Sequence, residues 1–545
     1  MSALRRLSSF LTNHAAPALH TLFVLVKQGV VRPMRPDKLA RIALAYRRWG
    51  ITLPLGFAVG AARHPDRPAV IDERGALSYA ELASRTTRLA GALRDRVPGK
   101  TRIGVLTRNH HGPVEVIVAA AKLGVDVVLL NVGLSTRQLA DVLAEQDISV
   151  LVLDEEFTGH LPDLPGDLDV VLGWVEGLTE HDTLDHLIAT GDGKRLARPK
   201  RHSRLIVLTS GTTGTPKGAR RPDPPSLNPA AAVFSRIPLR AGERVLLSAP
   251  LFHTWGIAGF QLSAVLGATL VLRRKFDAVD TLRTVQRHRV GAMFGVPVML
   301  QRMLELPAEE RASFDTSSLR IVAASGSALP GDLATTFQRA FGPVLHNLYG
   351  STEVSWVSIA TPADLRAAPS SAGRPPRGTV VRILDDNGEA VRRGDTGRIF
   401  AGNDMLFDGY TNGNSRESRD GLMSTGDLGR FDHSGRLFIA GREDDMIISG
   451  GENIYPKETE DVIAGLTGVA EAAVIGVEDT DFGQRLAAFV VTREKGSLDA
   501  DQVRDHVRGR VSKFAIPRDV IFLDELPRNA TGKVVPAQLR THLDG

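Results

Sequence analysis

The sequence predicts an α/β protein in two parts: a large N-terminal domain of mainly parallel sheets flanked by helices, then a small α+β C-terminal domain. Three observations lead there. At 545 residues the chain exceeds what one hydrophobic core usually organises. Short apolar runs alternate with helix-period stretches over most of its length, the pattern of strand–helix–strand units. After Gly441-Arg442 that alternation gives way to a compact set of about a hundred residues with its own apolar positions.

Taken in order, residues 1–48 form a basic arm. Nine Lys/Arg side chains stand there against Asp37 alone, a local charge of +8, while the whole chain carries +5. Leu19, Leu22, Phe23, Val26 and Val30 recur at helical spacing with cations close behind. Two readings stay open: a peripheral membrane contact, or an arm packed on the main body. No run of 18 apolar residues exists to span a bilayer, and no small-residue cleavage site follows to make a signal peptide.

Residues 49–442 form the large domain. Ile103–Leu106, Val150–Leu153, Val245–Ser248, Thr269–Leu272 and Ile321–Ala324 read as buried strands, with helices over Gly256–Leu266 and Pro330–Phe341. Residues 443–545 follow: a helix near Lys457–Gly465, strands Val469–Val477 and Leu486–Thr492, a polar helix Ala500–Val511 and a strand near Val520–Leu523. No Pro/Gly-rich linker separates the two parts, so Arg442–Asp445 reads as a tight hinge.

Composition narrows the function. With 43% apolar and 24% charged residues the chain is ordinarily globular. It has no cysteine, which excludes disulfides, thiolate metal sites and a cysteine nucleophile, and suits a reducing cytoplasm. No basic face interleaved with aromatics marks a nucleic-acid reader.

The strongest local signal is Leu208-Thr-Ser-Gly-Thr-Thr-Gly-Thr-Pro-Lys-Gly218, directly after an apolar run. Serial hydroxyls and glycines (Thr209, Ser210, Gly211, Thr212, Thr213, Gly214) let backbone N–H groups wrap an oligophosphate, and Lys217 adds charge. It departs from a Walker A loop, since Pro216 precedes the lysine and Gly218 replaces the magnesium-binding hydroxyl.

This loop resembles the signature of the acyl-adenylate-forming superfamily, which includes acyl-CoA synthetases. The superfamily's other motifs follow in order, so the resemblance covers roughly Leu53 to Leu539. They are Pro250-Leu-Phe-His-Thr-Trp-Gly256, Ser325-Gly-Ser-Ala328, Leu348-Tyr-Gly-Ser-Thr-Glu353, Ser424-Thr-Gly-Asp427, Gly441-Arg-Glu-Asp-Asp-Met-Ile447, Gly450-Gly-Glu-Asn453 and Pro527-Arg-Asn-Ala-Thr-Gly-Lys533. It implies ATP-dependent activation of a carboxylic acid to acyl-AMP, then transfer to coenzyme A with release of AMP and pyrophosphate. The implied site has Glu353 as magnesium ligand, Thr352 on the α-phosphate and Lys533 bridging carboxylate and phosphate oxygens. Tyr349 stacks on adenine beside Gly326, Ser327 and Ala328, within the motif that continues through Gly350 and Ser351; Asp427 and Arg442 take the ribose. A mobile small domain pivots at Asp444 to bring Gly450, Gly451 and Glu452 to the pantetheine channel.

His253, Trp255 and Gly256 fall where relatives place residues between acyl pocket and reacting carbonyl; Trp255 either resembles a tunnel gate of fatty-acid members or is a core tryptophan. No Asp or Glu occurs from Leu251 to Phe276, where amino-acid-activating relatives hold an ammonium group. An apolar acid is therefore expected, with medium- to long-chain fatty acids as the leading substrates. An acyl-AMP ligase that loads a carrier protein, and an inactive nucleotide-binding scaffold on membranes, are the alternatives. Arg220-Arg-Pro-Asp-Pro-Pro225 is an unusually basic, proline-rich continuation of the phosphate loop.

Overall fold

The computed structural model describes residues 16–97, 102–194, 196–209, 217–443, 447–449, 452–479, 483–508, 510–511, 515–529 and 532–543. Their strands, numbered in chain order, build four sheets.

The first sheet has the order β7 (Asp182–Thr183), β6 (Asp169–Leu172), β5 (Ile148–Leu153), β3 (Arg102–Leu106), β4 (Val127–Leu129), β8 (Leu205–Thr209), β9 (Lys217–Arg220). It is parallel except for β9. The second runs β15 (Ser358–Ala360), β14 (Leu345–Tyr349), β13 (Ile321–Ala324), β12 (Ala292–Gly295), β10 (Arg244–Leu247), β11 (Thr269–Leu272), β1 (Pro68–Asp72), β2 (Gly75–Ser78). Only its outer strands β15 and β2 are antiparallel. Continuous apolar strands such as β10 to β13 suit parallel sheets covered by helices on both faces, and the helices between them supply that cover. The residue patterns that predicted these strands and helices hold to within a residue or two.

The third sheet is an antiparallel addition to these mainly parallel sheets. β16 (Val380–Leu384), β17 (Gly397–Gly402), β18 (Ser418–Arg419), β19 (Leu422–Phe431) and β20 (Leu437–Arg442) are antiparallel throughout. Polar residues interrupt its strands, Arg382 in β16 and Ser424, Thr425 and Asp427 in β19, so few of them offer a continuous apolar run. The fourth sheet, β22 (Glu452–Ile454), β21 (Ile447–Ser449), β24 (Gly483–Thr492), β23 (Val469–Asp479) and β25 (Asp519–Phe522), belongs to the small C-terminal unit. There the polar helix ends at Val507, four residues before the expected Val511.

The basic arm contributes α1 (Ala16–Lys27) and α2 (Pro36–Trp49), followed by α3 (Leu53–Arg63). α1 lies on the Asn228–Arg236 helix, with Thr21 Oγ1 2.8 Å from Asn228 Oδ1, and buries Val24 and Leu25 in the main core. α2 packs on α3 without burying any residue fully. Val30 is buried, so it does not share the outward face of Leu19, Leu22, Phe23 and Val26, all of which are exposed. No helix among the described residues is long and apolar enough to cross a membrane.

Candidate active site

The carboxyl ends of the second sheet, the edge of the third and the C-terminal unit surround one continuous cleft of ≈ 2690 Å³. Ligands of open α/β sheets commonly bind outside the carboxyl ends of the strands. Thr209, Lys217, His253, Trp255, Gly326, Ser327, Ala328, Tyr349, Gly350, Ser351, Thr352, Glu353, Asp427, Arg442 and Lys533 all line the cleft. Ser210, Gly211, Thr212, Thr213, Gly214, Asp444, Gly450 and Gly451 lie outside the described residues, as does the side chain of Glu452.

Glu353 sits in the loop after β14, 7% exposed. One carboxylate oxygen accepts from the Tyr410 hydroxyl at 2.6 Å and the other from Ser351 Oγ at 2.8 Å. Both partners are neutral hydroxyls, and Arg416 Nε stands 3.8 Å away. The carboxylate thus keeps further lone pairs for a hard cation, which fits magnesium. The loop is held in shape at a local cost. Ser355 has φ 64°, a left-handed conformation unusual for a residue with a side chain. At Gly350 a Cβ would stand 2.1 Å from the Ser355 carbonyl oxygen, so only glycine permits that turn.

Thr352 is fixed from two sides. Its hydroxyl lies 2.8 Å from Thr254 Oγ1, and its carbonyl accepts from Arg221 at 2.7 Å. Burial pulls the Arg221 guanidinium down to about 10, opposed by the charge of Glu353. The basic Arg220–Pro225 continuation therefore supports the Glu353 loop from beneath.

Asp427 and Arg442, fifteen positions apart in sequence, are direct cross-strand partners on β19 and β20, with Arg442 Nε 3.8 Å from the Asp427 carboxylate. The Tyr349 hydroxyl donates to Asp427 at 2.5 Å. Burial raises the Asp427 carboxyl, against that hydrogen bond and the Arg442 charge, and raises the Tyr349 phenol well above its ordinary value. Two acids of the cleft thus lie within one connected polar wall with an aromatic face.

Lys533 enters from the C-terminal unit. Gly532, at φ +77°, comes so close to Val298 that a Cβ would be 2.7 Å from that side chain. The turn is locked by Asn529, whose side chain accepts from the Lys533 backbone N–H at 3.0 Å. Arg528 donates to the Gly532 carbonyl and to Glu471, each at 2.6 Å, and Glu471 accepts from Gln301 at 2.8 Å. Gln301, Glu471 and Arg528 were missed in the sequence, because their partners lie up to 170 residues away. The Lys533 side chain keeps solvent access along the cleft, yet the surrounding walls desolvate its ammonium and, with Arg442, lower its pKa; Asp427 and Glu353 oppose this.

His253 caps the start of the Thr254–Leu266 helix without a capping bond, and its Nε2 is buried with no hydrogen-bond partner. Burial and the Lys533 charge push the imidazole down to about 3, so it is neutral at pH 7. Trp255 takes the packed one of its two readings. Its indole N–H donates to the Gly295 carbonyl at 3.0 Å and its ring packs 4.9 Å from Phe294, so it is an anchored wall rather than a swinging gate. Gly256 does not line the cleft; a Cβ there would meet the Pro250 carbonyl oxygen at 2.0 Å, which makes its role one of packing.

A buried carboxylate suited to magnesium, a polar wall with an aromatic face and a lysine delivered by a separate unit define an acid-activating, adenylate-forming class of site. Comparisons with known proteins agree. The AMP-binding enzyme family matches residues 57–411 and the AMP-binding enzyme C-terminal domain residues 458–533. The chain is 34% identical to the indoleacetate–CoA ligase of Aromatoleum aromaticum, over 87% of this chain and 94% of that one. It is 33% identical to a feruloyl-CoA synthase of Amycolatopsis, over 88% and 96%. Among solved structures it is similar to the amide bond synthetase McbA of Marinactinospora thermotolerans, with TM-score 0.81, 27% identity and coverage of 90% and 99%. The chain belongs to the AMP-binding enzyme family. It is an AMP-forming acid–CoA ligase whose co-substrates are ATP, with magnesium, and coenzyme A.

Proposed function

We propose that the acid activated here is apolar and ring-bearing, an aryl or arylalkyl carboxylic acid. The observation that carries this reading is the fixed indole of Trp255, a flat, rigid wall beside Ala258 and Leu262 at the reacting end of the cleft. A planar ring stacks on such a wall without the rotamer change an alkyl tunnel gate requires. Indoleacetate and ferulate, the acids in the relatives' names, are of this kind. A second reading, a fatty acid of medium to long chain, is favoured by the further apolar side chains in the cleft lining, Val265, Ile42, Val31 and Val30.

The residues divide as follows in this reading. Lys533 joins carboxylate and α-phosphate oxygens as the acyl-adenylate forms, where negative charge concentrates. Thr352 donates to the α-phosphate, and neutral His253, with its unpartnered Nε2, offers a hydrogen bond at the carboxylate. Glu353 would hold magnesium, which when bound neutralises phosphate charge. Thr209 to Gly214 and Lys217 wrap the phosphates; Tyr349 and Gly326 to Ala328 take adenine, and Asp427 with Arg442 the ribose. The arm spans 1–48, the large domain 49–442 and the small domain 443–545. The small domain turns at Asp444 for thioester formation beside Gly450, Gly451 and Glu452.

Purified protein incubated with MgATP, coenzyme A and two acid series, arylacetic and phenylpropenoic acids against fatty acids of graded length, tests this by mass spectrometry. Acyl-CoA with AMP at highest kcat/KM for the ring acids is expected. Preference for long alkyl acids would replace the first reading by the second.

A further inference from the structure

Eight of the eleven large apolar side chains that are exposed among the described residues lie between Leu19 and Tyr46, within the arm that precedes the family match at residue 57. α1 is apolar on both sides. Its inner face, Val24 and Leu25, is 4% exposed, whereas Leu19, Leu22, Phe23 and Val26 are 48–66% exposed. Their spacing of three, one and three residues sets them in one stripe along the outward face. α2 adds Leu39 and Leu44, exposed at 51% and 67%. A single exposed leucine is unremarkable, but a helical stripe of four large residues is an interaction surface.

The charge around the stripe identifies its partner. Residues 16–49 hold seven cations and one acid, Asp37, which is paired with Arg35 at 3.1 Å. Lys27, Arg41 and Arg47 are exposed alongside the apolar residues. Apolar side chains and cations exposed on the same two helices complement an anionic lipid surface, where apolar side chains enter the headgroup boundary and cations meet phosphate. The position of the arm adds a reason. Val31, itself 41% exposed, lines the same cleft as Trp255 and Glu353.

We infer that α1 and α2 dock the enzyme on anionic bilayers, with the apolar end of its substrate cleft at the membrane surface. An apolar acid dissolved in the bilayer then has a route to the reacting end that bypasses bulk water. The docking rests on the arm alone; only the delivery of substrate rests on the apolar-acid reading.

The full chain is sedimented with vesicles of phosphatidylcholine alone and of phosphatidylcholine with phosphatidylglycerol, beside the double variant L22E/F23E. The wild type should pellet with the anionic vesicles only, release at high salt, and lose roughly tenfold or more of its partitioning in the variant. The variant's turnover of a water-soluble acid without vesicles should be unchanged, which shows that it folds. Wild type left in the supernatant with both vesicles, or a variant that pellets equally, overturns the docking. So does a dimer, seen by analytical ultracentrifugation, that L22E/F23E abolishes in the absence of vesicle binding, because the stripe is then a contact between copies. Vesicle binding without turnover of any apolar acid would keep the docking and overturn the substrate reading.

Discussion

Two clusters of histidine and carboxylate groups lie in the large domain, and they are treated oppositely. Beside β1 and β3, Asp72 accepts from His111 at 2.6 Å, and His110 stands 2.8 Å from Asp154, whose other oxygen accepts from the Arg108 N–H. His110 Nδ1 accepts from Gly112, and Glu115 is paired with Arg85. Although Asp72, His110 and His111 are close enough to share a cation, their facing atoms are already hydrogen-bonded to one another and to the backbone. In the cleft, His253 keeps an unpartnered Nε2, and Lys533 is desolvated within reach of the charges of Asp427 and Glu353. Polar groups that satisfy each other hold a fold together; those left partly satisfied are available to a substrate.

The largest effect should come from breaking the satisfied cluster. Asp72→Asn strands buried His111 and should cost about 3–5 kcal/mol of stability, read by denaturant unfolding, with kcat retained at low temperature. The cleft should respond in the reverse sense. Lys533→Ala is expected to slow acyl-adenylate formation about 10²–10³-fold, ~2.7–4 kcal/mol, in a pyrophosphate-exchange assay, while thioester formation from preformed acyl-AMP and unfolding stability stay near wild type. Equal loss of both half-reactions would break the division of labour.

Smaller effects sharpen the comparison. Gln301→Ala removes the hydrogen bond that holds Glu471 and hence Arg528 and the Lys533 turn. A loss of roughly 0.5–1.5 kcal/mol, or about 2- to 10-fold, is expected in adenylation alone. The pH responses should also separate. Burial opposes protonation of His111, but its bond to Asp72 and the charge of Glu115 outweigh that and raise it above 6.5. Burial likewise opposes ionisation of Asp72, and the same His111 bond overcomes it and lowers Asp72 below 3.8. The pair's stabilisation is therefore complete between about pH 4 and 6.5. It is lost as pH rises through the folded His111 value, or falls through that of Asp72. Thermal melts should show that decline at the alkaline side, and Asp72→Asn should flatten it. His253, already neutral, should add no inflection to kcat between pH 5 and 9 (its value is about 3).

The parallel sheets were legible because their strands are uninterrupted apolar runs, such as Ile321–Ala324, whose burial on both faces is written in composition. Many residues of the cleft lining were legible because glycine-, hydroxyl- and charge-bearing motifs recur in a fixed order. The antiparallel third sheet was not, since polar residues such as Arg382 and Asp427 break its apolar runs. The sequence by itself determined the class of chemistry, because the motifs that mark it are local stretches of chain. Only the tertiary structure decided that Trp255 is anchored to Gly295, that Asp427 faces Arg442, and that Gln301 and Glu471 hold the turn of Lys533. It also decided which side of α1 is left bare. Each of these depends on what stands opposite a residue, and register and packing between separate segments are energies of the folded whole rather than of any one segment.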